Sequence, residues 1–166
     1  MIQRIQTVFL FLLVIAVVSM LFLPLWSKTD AATGETVILT AWNLKTEILG
    51  ADGATTAAGA IPSKSAIAIG LLAIAAAVVA LVEIFQFRSR LNQMKLGLLN
   101  TLVLAALFGT SFYYAAYVAN EMIGGTDNGS YQAGFYMPML ALLLNALANR
   151  FIKRDEDLVR SVDRLR

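Results

Sequence analysis

The chain contains no cysteine and no histidine. Without thiols there can be no disulfide, no thiolate metal centre and no cysteine nucleophile. Without imidazole there is no Ser-His triad and no histidine proton relay, and most zinc chemistry is lost with the two together. Charge is scarce as well: Asp, Glu, Lys and Arg make up 14% of the residues, against about a quarter in a soluble domain. The 13 basic residues outnumber the 11 acidic ones by two, too small an excess to favour nucleic acid. An enzyme would have to work with carboxylates, lysine, tyrosine or serine alone. The acids Asp30, Glu35, Glu47 and Asp52 show no metal-ligand spacing, and no phosphate-binding glycine loop is present. No catalytic residue, metal site or cofactor is therefore expected.

What the chain has instead is apolar length. Of its 166 residues 58% are apolar, and the mean hydropathy is +0.71. A helix needs about 20 apolar residues to cross a hydrocarbon core of about 30 Å. Four stretches meet that requirement, at about residues 5–27, 65–87, 96–120 and 131–152. One such run can be a buried soluble helix, but four in so short a chain leave no soluble core to bury them. The apolar part of the first stretch is too long for a secretory signal, and no small-x-small cleavage site follows Trp26, so it reads as an uncleaved helix. The expected fold is an all-α membrane protein. Residues 1–152 form a four-helix transmembrane bundle, with a cytoplasmic tail over 153–166.

Orientation follows from the basic residues. Arg4, Arg88, Arg90, Lys95, Arg150, Lys153, Arg154, Arg160, Arg164 and Arg166 fall on one side of the proposed membrane, and only Lys28, Lys45 and Lys64 on the other. The positive-inside rule then places both termini in the cytoplasm. Trp26, Phe112, Tyr113, Tyr114, Tyr117, Tyr131, Phe135 and Tyr136 would belt the outer interface. The extracytoplasmic connection 28–64 is the one sizeable non-helical region. Its β-branched stretch Thr36–Trp42 alternates and could pair with Leu44–Leu49 as a small hairpin or sheet. Gly50–Gly53 reads as a turn and Ala54–Pro62 as a tether.

Both ends of the chain carry a resemblance. Met1–Thr7 (MIQRIQT) leads to Leu23-Pro24-Leu25-Trp26. The other end runs from Tyr131-Gln-Ala-Gly-Phe-Tyr-Met-Pro138 through Ala148-Asn-Arg150 to DEDLVRSVDRLR at Asp155–Arg166. These segments resemble the bacterial domain-of-unknown-function family 4293, small four-helix proteins of the inner membrane. The resemblance implies the layout of the whole chain and that location. It implies no activity, ligand or catalytic residue.

Lipid supplies no hydrophobic drive between helices, so small residues must let backbones approach. Ala66, Gly70, Ala73, Ala77 and Ala80 form such a row in the second span, and Gly97, Thr101, Ala105 and Gly109 in the third. These are the expected packing seams, within one chain or across a homodimer. The polar residues Gln6, Glu83, Asn100, Asn145 and Asn149 fall in the cytoplasmic third of the spans. Interhelical hydrogen bonding is the expected role, and a polar pocket open to the cytoplasm is the alternative. Glu83 lies about 100° round the helix from the small-residue row, so it is expected to reach headgroup water and pair with Arg90. Leu158, Val162 and Leu165 stripe the tail, which reads as an amphipathic helix.

The expected role is a non-catalytic accessory, assembly or scaffold subunit in the bacterial inner membrane. Its partners would be the bilayer and either a membrane protein or a second copy of itself. The alternative is a small proton-coupled transporter or channel that uses Glu83.

Overall fold

Gln3–Met20 contains neither glycine nor proline and forms the first helix, α1. The helix was expected to run to residue 27 but ends seven residues earlier. Pro24 bars the helical conformation at Leu23 and offers no N–H to continue a ladder. The chain straightens beyond it, and Trp26–Thr29 is a strand, β1. The computed structural model describes residues 3–30, 34–49, 55–57, 64–86, 89–122 and 129–163.

The expected hairpin is present as part of a larger sheet. Glu35–Leu39 (β2) pairs antiparallel with Leu44–Leu49 (β3), with Leu39 opposite Leu44. Thr40 closes the connection, its backbone N–H donating to the Asn43 carbonyl at 2.9 Å while its hydroxyl donates to the same oxygen at 2.7 Å. Thr55–Ala57 (β4) lies in the stretch read as a tether and pairs with β3 instead. The turn expected at Gly50–Gly53 lies outside the described residues. Ser130–Tyr131 (β5) joins β1, which gives five antiparallel strands in the order β4-β3-β2-β1-β5.

Three longer helices follow the first. Ile67–Phe85 (α2) is almost wholly Ala, Ile, Leu and Val. Its start has no side-chain cap. The Ala66 N–H donates to the Trp42 carbonyl and the Gly70 N–H to the Ala41 carbonyl, each at 2.9 Å, so the sheet satisfies donors that a helix start leaves open. Arg90–Tyr113 (α3) loosens into a π-helical stretch at Tyr114–Ala119 and ends in a tight turn at Asn120–Met122. Ala133–Asp163 (α4) is a single helix of 31 residues, about 46 Å long at 1.5 Å per residue. The segment 153–163, expected to be a separate tail, continues α4 without a break.

Each helix packs against two others, in the ring α1-α2-α3-α4. The centre combines large residues from three helices with small ones from the fourth: Leu13, Val17 and Met20 of α1, Leu104 and Leu107 of α3 and Leu144 of α4 meet Ala73, Ala76 and Ala80 of α2. Val37, Leu39 and Leu44 extend this core into the sheet. The helices α2, α3 with its continuation, and α4 are each long and apolar enough to cross a membrane, while the apolar stretch Ile5–Met20 of α1 is shorter.

Candidate functional site

Buried polar side chains gather at the end of the bundle away from the sheet. Glu83 and Asn100 are completely inaccessible, as is Asn145, and Gln93 and Gln6 are nearly so. The Gln93 side-chain amide sets the register between α2 and α3 by donating to the Glu83 carbonyl at 3.4 Å. The C-terminal end of α2 thus lies beside the N-terminal end of α3, with Gln93 opposite Glu83. Asn100, seven residues further on, lies about 10 Å along α3 on the same face.

Helix α4 meets α3 at Gly97 and Thr101. The Asn145 amide donates to the Gly97 carbonyl at 2.9 Å and to the Thr101 hydroxyl oxygen at 2.8 Å. The Thr101 hydroxyl itself donates to the Gly97 carbonyl at 2.9 Å, so its oxygen is free to accept from Asn145. The Asn149 carboxamide lies directly on Gly97, in space that a side chain there would fill. Glycine at residue 97 is what lets α3 and α4 approach with an amide between them.

Both carboxyl oxygens of Glu83 lack a hydrogen-bond partner, as do both amide atoms of Asn100, the Asn145 Oδ1 and the Asn149 Oδ1. A buried polar atom left so costs about 1–3 kcal/mol, and native proteins contain few of them. Four residues on three helices contribute six such atoms.

A family model for a domain of unknown function, DUF4293, matches residues 2–165. The chain belongs to that family. No curated protein matches it. In this DUF4293 chain the two segments that carried the resemblance dock on each other. The Pro24 carbonyl accepts from the Gly134 N–H at 3.0 Å and the Leu25 carbonyl from the Gln132 N–H at 2.9 Å, while Trp26 pairs with Tyr131 across β1 and β5.

Several residues of the DUF4293 chain lie elsewhere than expected. Glu83 does not reach an interface: its face of α2 is the buried one, shared with Ile69, Ala73, Ala76 and Ala80. Ala66, Gly70 and Ala73 of the expected seam are buried, but Ala77 is only partly so, and Ala76 takes its place. On α3 the divergence is larger. Gly97 is buried, whereas Thr101, Ala105 and Gly109 are exposed, and the packed face runs through Gln93, Gly97, Asn100, Leu104, Leu107 and Ser111. The Arg90 side chain lies outside the described ones.

Gln93 was not singled out from the sequence. The signal was its spacing: seven residues before Asn100 and four before Gly97, it lies on their face.

A hollow of about 310 Å³ opens at the sheet end between Trp26, Ala115, Ala116, Asn120, Gly129 and Tyr131. The π-helical stretch forms one wall. Beside it the buried Lys28 ammonium donates to the Asn120 Oδ1 at 3.0 Å.

Proposed function

We propose that this is an integral protein of the bacterial inner membrane that crosses it four times, keeps both termini in the cytoplasm and acts non-catalytically as an accessory, assembly or scaffold subunit. The observation that carries the membrane reading is an inverted surface. Phe11, Leu12 and Ile15 of α1, Leu71, Ile74 and Val78 of α2, Leu98 and Leu102 of α3, and Met139 and Leu143 of α4 are large, apolar and exposed, while Glu83, Gln93, Asn100 and Asn145 are inside. Water would penalise that arrangement on both counts, and lipid favours it on both. At about 24 Å, the 16 residues Ile5–Met20 fall short of the hydrocarbon core. Local thinning of the bilayer accommodates such a mismatch at modest cost.

The accessory role rests on two features. The sheet is fixed to α2 through the Ala41 and Trp42 carbonyls and to α4 through Pro24 and Leu25, which makes a rigid platform outside the membrane. At the opposite end α4 outruns the bilayer and carries Lys153, Arg154, Asp155, Glu156 and Asp157 on its extension. Both ends thus present ordered polar structure to a neighbouring membrane protein or a second copy.

Orientation is tested by single cysteines in a chain that has no native one. Lys64→Cys and Glu121→Cys should react with a membrane-impermeant thiol reagent in intact spheroplasts, and Asn92→Cys and Asp157→Cys should react only after lysis. Labelling of Asp157→Cys from outside would overturn the topology. Recovery of the chain from native membranes solely as a free monomer in mild detergent would overturn the accessory role.

A further inference from the structure

We propose that the hollow at the sheet end binds the phosphodiester headgroup of an anionic phospholipid. The inference goes beyond the accessory role and rests on the membrane reading for the source of its ligand.

The walls of the hollow come from the sheet and from the π-helical stretch Tyr114–Ala119, which packs on β2. Side chains alternate along β1, so Trp26 and Lys28 point to one face, and both are buried. Tyr131 stands directly opposite Trp26 in the pairing of β1 with β5, which sets the two rings side by side on that wall. Trp26 is buried and Tyr131 exposed, so the aromatic wall runs from the interior to the mouth. Ala115 and Ala116 are small and leave the space open. A volume of about 310 Å³ is at the low end for ligand pockets, about 300–1,000 Å³. It suits a headgroup and not a whole lipid.

The polar groups at the hollow are donors. Lysine has no acceptor, so the Asn120 atom that meets the Lys28 ammonium at 3.0 Å is the carbonyl oxygen. What Asn120 has left to offer is its amide nitrogen, which only donates. The Trp26 indole also only donates. Its N–H edge borders Gly129, where a Cβ would stand 2.8 Å from the Nε1. Tyr131 adds a hydroxyl, and none of the six lining residues is acidic. Such a set takes an acceptor, and it binds an anionic oxygen more strongly than a neutral one.

Charge and position select the ligand. Two aromatic rings can also cage a quaternary ammonium, but a second cation here would meet the Lys28 ammonium behind Asn120. Tyr113, Tyr117 and Tyr136 are exposed at this end of the helices, and such aromatic belts lie at headgroup level. The anion present at that level is the lipid phosphodiester, whose acyl chains would follow the exposed apolar flank of the helices.

The test uses the full chain in a neutral detergent. A Trp42→Phe chain retains Trp26 as its single indole, so its emission reports on the hollow. It is titrated with short-chain phosphatidylglycerol, short-chain phosphatidylcholine or glycerol 1-phosphate. Phosphatidylglycerol should change the emission saturably and bind about tenfold or more tighter than the other two. It should also raise the thermal midpoint of the wild-type chain by several degrees. Asn120→Asp keeps an oxygen for Lys28 but replaces the donor by a negative acceptor, and Ala116→Leu fills the hollow. Each should weaken phosphatidylglycerol about tenfold or more, whereas Gly109→Ala, at an open site, should not. Equal or tighter binding of phosphatidylcholine, or undiminished binding of phosphatidylglycerol in the folded Asn120→Asp and Ala116→Leu chains, would overturn the proposal. Glycerol 1-phosphate bound as tightly as the lipid would make the ligand a soluble phosphate ester and overturn the lipid assignment. A chain that stays dispersed without detergent would sink the membrane reading and the lipid with it, whereas a chain that needs detergent but shows no lipid preference sinks this proposal alone.

Discussion

The backbone N–H of Gly134 donates to the carbonyl of Pro24 at 3.0 Å, and a Cβ on residue 134 would stand 2.7 Å from that same oxygen. The first turn of α4 is thus capped by the residues that end α1, and the approach is open only to glycine. The obstacle is backbone on both sides, so no side chain can swing away.

Gly134→Val should therefore separate α4 from the Pro24–Leu25 corner. It should also weaken the pairing of Trp26 with Tyr131 across β1 and β5. Overpacking at such a contact costs about 1–3 kcal/mol. Thermal unfolding in detergent measures it, and a Gly134→Val chain as stable as the wild type would show that the corner is not a fixed joint.

A second comparison separates two glycines of α3 that look equivalent in sequence. A Cβ at Gly97 would overlap the Asn149 carboxamide, whereas one at Gly109 has nothing within 4 Å. Gly97→Leu should cost about 2 kcal/mol and displace the Asn149 carboxamide that packs on it. Gly109→Leu should be neutral or stabilise by up to about 1 kcal/mol, since leucine favours the helix and the site is exposed with open space around it. The two midpoints, measured side by side, check this, and equal losses would mean that the packed face of α3 has been misassigned.

That contrast shows where the sequence could be read and where it could not. The helices announce themselves by apolar length, and β2 by its β-branched run Thr36-Val37-Ile38, with Leu44–Leu49 as its expected partner. The phase of such a helix is harder to read, because leucine occupies outward positions (Leu98, Leu102) as well as core ones (Leu104, Leu107). Small residues had to serve as the marker. They served on α2, where Gly70 and Ala73 pack, and misled on α3, where Ala105 and Gly109 face outward. Polar residues were the better guide: Gln93, Asn100 and Ser111 all lie on the true packed face. The error in phase on α2 also displaced Glu83, whose position was inferred from that row. The end of α1 was legible in principle from Pro24, but the uncharged, mostly apolar run to Trp26 outweighed it. The strand β4 falls in a low-complexity stretch whose composition carries no strand signal, and only its pairing with β3 defines it.

The burial of Glu83 yields the last prediction, which concerns stability. A buried carboxyl with no partner for either oxygen contributes nothing to holding the helices together. Replacing buried ionic groups by apolar ones of similar size is often neutral or stabilising, by about 1–4 kcal/mol. Methionine is close to glutamate in length and is flexible enough to fill the same space. In detergent Glu83→Met should unfold at a higher temperature than the wild type, by an amount equivalent to about 2 kcal/mol. A carboxyl held by an arginine would give the opposite pattern, with Glu83→Met less stable because a buried cation loses its partner. That result would return Glu83 to a structural ion pair.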